Sequence, residues 1–263
     1  MTPGGASRSG REVSRKTLTR FLDEKLEISS FRADSSLNGL QVEGRSRIGR
    51  VTLAVDACEE SIRAAVRSRS GMLIVHHGLF WGSPVPVTGI MAKRISLLLG
   101  RGISLYAAHL PLDCHPEIGN NALLASSLGI DRTEKFGEYA GYVIGLCGSL
   151  PAPVSAAGFA AKVRRLTGAP VRTFRSGRDR IRKVGIVSGG GASLLKDAFE
   201  AGCDAMLTGE TSHSAFHAAK EYGIDLFCAG HYATETFGIR AVGGLLEDRF
   251  GVEVRFADIP TGL

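Results

Sequence analysis

No stretch of this chain comes near the about 18 consecutive apolar residues that a membrane-spanning helix needs. Residues 1–10 are small and polar with no apolar centre, so they do not read as a secretory signal. Both absences predict a soluble, cytoplasmic protein. Cysteine is scarce and unpatterned. The five (Cys58, Cys114, Cys147, Cys203 and Cys228) form no Cys-x-x-Cys, which argues against a disulfide framework and a zinc ribbon. Reduced, mostly buried thiols are expected, with Cys114 set apart by its neighbour Asp113. Acid is in deficit: 32 Lys and Arg stand against 26 Asp and Glu. The excess gathers in residues 162–183, where Lys162, Arg164, Arg165, Arg172, Arg175, Arg178, Arg180, Arg182 and Lys183 face only Asp179. A smaller group, Arg8, Arg11, Arg15, Lys16 and Arg20, lies near the start. These are either solvated faces or a surface for phosphates or nucleic acid. Aromatics are few there as well. Phe174 alone interrupts the longer cluster, which weakens the nucleic-acid reading.

What is present is alternation. With 263 residues the chain can bury one large core or two modest ones. Apolar runs at residues 51–57, 72–75 and 103–108 read as strands. They alternate with helical patterns at 59–68, 91–99 and 118–128. The second half repeats the order, with strands at 142–150, 184–187, 205–207, 226–229 and 252–256 and helices at 155–166, 193–201, 212–221 and 236–249. A helical spacing also covers residues 13–26, and Asn38-Gly39 is a turn signal. The expected fold is α/β: two related lobes from an internal duplication, with mostly parallel or mixed sheets flanked by helices and a metal site between the lobes. The expected division is a flexible basic leader over 1–14, a first lobe over 15–135 and a second over 136–263. C-terminal segments are free to return to the first lobe.

In such sheets ligands gather beyond the carboxyl ends of strands. Three apolar runs end there in imidazoles: Ile74-Val-His76-His77-Gly78, Ala108-His109-Leu-Pro-Leu-Asp113 and Ala229-Gly-His231-Tyr-Ala-Thr-Glu235. Neighbouring side chains on a regular strand point to opposite faces, so one ion rarely takes both His76 and His77, while two ions could take one each. His231 and Glu235 share a side if a helix starts near Tyr232. Pro111 makes the stretch from His109 to Asp113 read as extended or turned rather than helical. For any one of these residues a hydrogen-bonded polar side chain serves as well. Together, His76, His77, Asp113, His231 and Glu235 form an imidazole and carboxylate set without thiolate, suited to Zn, Fe, Mn or Ni. Five ligands are too many for one open tetrahedral ion and suit two ions that activate a water. His109 and Glu210 would orient ligands or move protons, and His217 would join them. Gly189-Gly-Gly191 follows a strand and serves either as a tight turn or as a ligand contact.

Several segments resemble a known family, the GTP cyclohydrolase 1 type 2 homologs, also described as Nif-three-like dinuclear-metal-centre hexameric proteins. The matching stretches are Asn38-Gly-Leu-Gln-Val-Glu-Gly44, Ile74-Val-His-His-Gly-Leu-Phe-Trp81, His109 through Asn121, Ser188-Gly-Gly-Gly191, Thr208-Gly-Glu210, Ala229 through Glu235 and Asp258-Ile-Pro260. The resemblance is to the short bacterial form. It implies a two-lobed α/β subunit, a toroidal homohexamer built as a trimer of dimers, and metal pairs facing its inner cavity. It carries the family's metal ligands onto His76, His77, Asp113, His231 and Glu235, for two divalent ions among Fe, Zn and Mn. The function expected is that of a metal-dependent hydrolase in which a metal-activated water acts on a small, nucleotide-like substrate. The alternatives are a non-catalytic metal-binding regulator or metal or cofactor chaperone, and nucleic-acid binding through the basic segment.

Overall fold

The computed structural model describes residues 11–263, and most of the expected leader, Arg8 included, lies outside the described residues. Val13 and Ser14 belong to a strand rather than to a flexible leader. The elements begin with β1 (Val13–Ser14), α1 (Arg15–Lys25), β2 (Gly39–Val42), β3 (Arg47–Ile48), β4 (Arg50–Asp56), α2 (Glu59–Arg67), β5 (Met72–His77), α3 (Gly89–Gly100) and β6 (Ser104–Ala107). They continue with α4 (Leu110–Cys114), α5 (Asn120–Ser127), β7 (Thr133–Tyr139), β8 (Tyr142–Val154), α6 (Ala156–Thr167), β9 (Arg172–Phe174), β10 (Ile181–Val187) and α7 (Leu195–Glu200). Then come β11 (Ala205–Thr208), α8 (His213–Tyr222), β12 (Asp225–Cys228), α9 (His231–Thr234), α10 (Thr236–Phe250) and β13 (Glu253–Phe256).

The chain divides into two compact units, both discontinuous. The first comprises the described residues up to Ser29, Ser35–Ala108 and Arg240–Ile259; the second comprises Ser30–Asp34, His109–Ile239 and Pro260–Leu263. This division differs from the expected boundary at 135/136. Residues 109–135 fall in the second unit, and most of α10 and β13 return to the first.

In the first unit five strands run in the order β13-β4-β5-β6-β2. The first four are parallel and β2 closes the edge antiparallel to β6. β4 and β5 read as near-continuous apolar runs because both of their faces are buried. Ile62 and Ala65 of α2 and Leu98 of α3 pack on Ala54, Leu73, Val75 and Leu105. β1 pairs separately with β3, and Ser14 caps α1 by accepting from Thr17 N–H.

In the second unit six strands run β7-β8-β10-β11-β12-β9, with β10, β11 and β12 parallel and the others antiparallel. Alternation along the strands feeds two cores. Leu207 and Phe227 face Leu124, Phe159 and Val163 of α5 and α6. Met206 and Leu226 face Leu195, Ala198, Ala215 and Ala219 of α7 and α8. α6 starts at a Ser155 cap and stops at Gly168 in the left-handed region.

Much of the basic segment is built into this fold. Arg175 Nε donates to the fully buried Asp225 at 2.9 Å, Arg178 pairs with Asp204, Lys183 pairs with Glu134, and Lys162 donates to the Leu128 carbonyl. No helix among the described residues is long and apolar enough to cross a membrane. All five cysteines are free thiols, with Cys147, Cys203 and Cys228 buried and Cys58 and Cys114 partly so.

Candidate metal centre

In the first unit the donors are set by the ends of two neighbouring parallel strands. β5 finishes at His76 and His77, and β4 finishes beside it at Asp56, which lies in register with His77. His76 is fully buried, and its Nδ1 lies 2.9 Å from the Ala108 carbonyl. His77 Nδ1 lies 2.9 Å from Asp56 Oδ1. A carbonyl or carboxylate oxygen only accepts, so each Nδ1 carries a proton and Nε2 is the ring nitrogen that could meet a metal ion. The rings do not part to opposite faces as a regular strand would have them. Their centroids are 4.6 Å apart, because the strand ends here and Gly78 turns the chain. Gln41 holds that turn: its Oε1 accepts from Leu79 N–H at 2.7 Å, and its Nε2 would stand 2.3 Å from a Cβ on residue 78. A side chain at position 78 would displace the clamp.

In the second unit Asp113 sits on α4, which corrects the reading of that stretch as non-helical. Pro111 falls in the first turn, where its missing N–H costs nothing. Asp113 is buried, and its Oδ1 accepts from Asn120 Nδ2 and from Ser188 Oγ, both at 2.9 Å. Asn120 is itself oriented by Gly238 N–H, and Asn121 Oδ1 fixes the Ser188 backbone. His109 Nδ1 lies 2.9 Å from Asp34 Oδ1, and the same carboxylate, fully buried, accepts from Leu110 N–H.

The remaining donors follow β10, β11 and β12, three adjacent parallel strands. His231 Nδ1 lies 3.1 Å from Glu210 Oε1 and its Nε2 lies 3.1 Å from Glu235 Oε1. Burial pushes the His231 pKa down, but the hydrogen bonds and charges of Glu235 and Glu210 outweigh it and raise it to about 9. α9 does start next to Tyr232, at His231. Glu235 is nearly buried, while the Glu210 carboxylate is half exposed. Gly189 explains the glycine run: a Cβ there would stand 2.1 Å from Glu235 Oε1 and 3.1 Å from His231 Nε2. The backbone approaches these donors as only glycine allows, at φ +61°. Thr234 Oγ1 accepts from Gly189 N–H, and Gly209 and Glu210 N–H both donate to Gly189 O, which ties the three loops together. His217 packs against His213 and Phe216 on α8. Burial, then the charge of Asp113, pushes the Cys114 thiol up to about 12.

His76 and His77 of the first unit, and His109, Asp113, His231 and Glu235 of the second, are side chains that could hold a metal ion. The donor chemistry fits a first-row ion: His76, His77 and His109 are fixed through Nδ1, and the Asp113 carboxylate is fixed by an amide and a hydroxyl donor. Of the orienting residues, Asn120 and Ser188 lie within the stretches that carry the family resemblance, though no role is assigned to them there; Asp56 has a signal as a carboxylate at the end of an apolar strand, and Asp34 has none.

The chain matches known proteins over its length. A curated relative from Deinococcus radiodurans, named GTP cyclohydrolase 1 type 2 homolog, is 42 % identical over 264 residues and covers 100 % of both chains. One of the same name from Archaeoglobus fulgidus is 45 % identical over 94 % of this chain and 98 % of its own. The crystal structure of TTHA1606 from Thermus thermophilus superposes with a TM-score of 0.88 at 43 % identity, covering 95 % of this chain and 100 % of that one. The protein ybgI superposes with a TM-score of 0.89 at 36 % identity over the same shares. Residues 13–262 match the family described as Duf34/NIF3 (NGG1p interacting factor 3), and the chain belongs to that family.

Proposed function

We propose that this protein binds two divalent metal ions through His76, His77, Asp113, His231 and Glu235 and hydrolyses a small, nucleotide-like substrate. The observation that carries this reading is shared by three imidazoles. His76, His77 and His109 each have Nδ1 held by a carbonyl or a carboxylate, which orients the ring and turns Nε2 to the task of a metal donor, while His231 lies between the carboxylates of Glu210 and Glu235. Bound Fe, Zn or Mn ions would supply Lewis-acid activation of a water. The chain's own residues do the rest. Asn120 and Ser188 donate to Asp113 Oδ1 and so fix the direction in which the carboxylate would meet a metal ion. Asp34 keeps the proton of His109 on Nδ1, so that Nε2 takes or returns a proton. Glu210 holds His231 and, being half exposed, exchanges protons with solvent.

The test is metal content and turnover on one preparation made without a histidine tag. Wild type should hold close to two ions per chain, and His76→Ala and Glu235→Gln should lose them. Hydrolysis of GTP or another member of a nucleotide panel should appear in wild type and vanish in Glu235→Gln. Full turnover in a Glu235→Gln protein shown to be metal-free would refute the hydrolase. Tight metal with no turnover would leave the metal-binding regulator or metal and cofactor chaperone. The homohexamer is proposed on the family resemblance and is checked by sedimentation. Nucleic-acid binding through residues 162–183 is disfavoured by the pairing of Arg175, Arg178 and Lys183 within the fold. Salt-sensitive retention on DNA would restore it.

A further inference from the structure

The second unit contains a cleft of about 470 Å³ beyond the carboxyl ends of β10 and β11, a volume within the range of small-molecule sites. One wall is the segment from Gly190 to Lys196 and the other runs from Glu210 to Tyr222 along α8. Its lining is divided by chemistry. Leu195, Ala218 and Tyr222 present an apolar surface, and the Tyr222 ring is held against Phe199 with centroids 5.2 Å apart. Lys196 and Ser212 present donors. Lys196 is 66 % exposed and only loosely paired, 3.5 Å from Glu200, an ion pair weak enough to exchange for a ligand. The Ser212 hydroxyl shares a hydrogen bond with Ser214, another lining residue, and either atom can turn to donate.

Glu210 gives the cleft its direction. It lines the cleft, and its Oε1 is 3.1 Å from His231 Nδ1. A molecule lying in the cleft therefore touches the residue that orients one of the candidate metal ligands. A cleft of this kind holds the part of a substrate that does not react and spends its binding energy on placing the bond that does.

We propose that the cleft between α7 and α8 is the recognition pocket for a ring-bearing phosphate ester, with the ring on Leu195, Ala218 and Tyr222 and the phosphate on Lys196 and the serine hydroxyls. Several small donors beside one ammonium suit the three terminal oxygens of a phosphate better than a carboxylate. The role as substrate pocket rests on the metal-dependent reading above; the binding itself does not.

The test is calorimetric titration of chelator-treated protein with phenyl phosphate, so that no metal ion contributes and failure of the metal reading cannot affect the result. Wild type should bind saturably at one site per chain. Lys196→Glu reverses the charge at an exposed position, and Ala218→Trp fills the apolar floor. At least one of them, with an unchanged melting temperature, should weaken binding by about tenfold or more, the size of one lost charge-assisted contact. Absence of binding in wild type, or weakening below about tenfold in both folded variants, would overturn the proposal. Metal content of the same variants after reloading should equal that of wild type, which separates this pocket from the ligand set.

Discussion

In the metal-free protein His231 keeps its proton between Glu210 and Glu235 up to a pH of about 9. The folded value lies above the ordinary 6.5, so the stabilisation is complete below pH 6.5 and is lost as the pH rises through 9. With chelator present, the stability lost in His231→Gln should be of the order of 2 kcal/mol at pH 6 and should shrink above pH 9. Denaturant melts at the two pH values check this, and a gap that grows with pH would contradict it. Asp56 acts on His77 in a different way, through the orientation of a donor. Asp56→Ala should lower metal affinity roughly tenfold or more and leave the fold intact, as competition with a chelating dye would show. Cys114 is the quiet member of the group. With its thiol at about 12 it carries little thiolate at pH 8 and should stay unmodified by iodoacetamide in the native protein. Labelling as fast as in the denatured chain would reverse that view.

The loop after β10 is the element on which the second-unit donors depend. Gly189→Ala would place a methyl where Glu235 Oε1 stands, on a backbone at φ +61°. A cost of about 1–3 kcal/mol is expected, together with loss of bound metal while the circular dichroism of the fold is retained. Metal retained at wild-type stoichiometry would show that Glu235 can move aside without consequence. The strands that end in these donors are legible in sequence because buried parallel strands are written as unbroken apolar runs, such as Met72 to Val75 or Leu226 to Ala229. The hairpin of β7 and β8 begins earlier than its apolar content indicates. β7 is mostly exposed and carries Glu134, Lys135 and Glu138, so its pairing with β8 leaves no hydrophobic mark. β9 is hidden for a similar reason, as a short edge strand inside the basic segment. Pro111 conceals α4 because a proline breaks a helix interior but is tolerated in its first turn. Asp34 cannot be connected to His109 from sequence at all, since one carboxylate meeting one imidazole 75 residues away follows no period.

At the scale of the molecule, the first unit closes its sheet with the end of the chain. β13 lies parallel to β4, Glu253 pairs with Arg50, and the Arg240 guanidinium stacks 3.6 Å from the Phe256 ring centroid. Ending the chain after residue 249 removes this strand and the buried Val252 and bares an edge of β4. The truncated protein should melt lower and aggregate on heating, and hydrogen exchange should rise first in β4. Unchanged protection there would mean that β13 is dispensable. The order of assembly follows from the same arrangement. Domains made on a ribosome usually fold as they emerge, amino-terminal first. Here the amino-terminal unit waits for residues 240–259, while all but the last four residues of the second unit have already left the ribosome. The earlier-made half is therefore the later-finished one, and His76 and His77 reach their final setting only after residues 240–259 have been made, so a metal ion that needs both units' donors could be gathered only after that point.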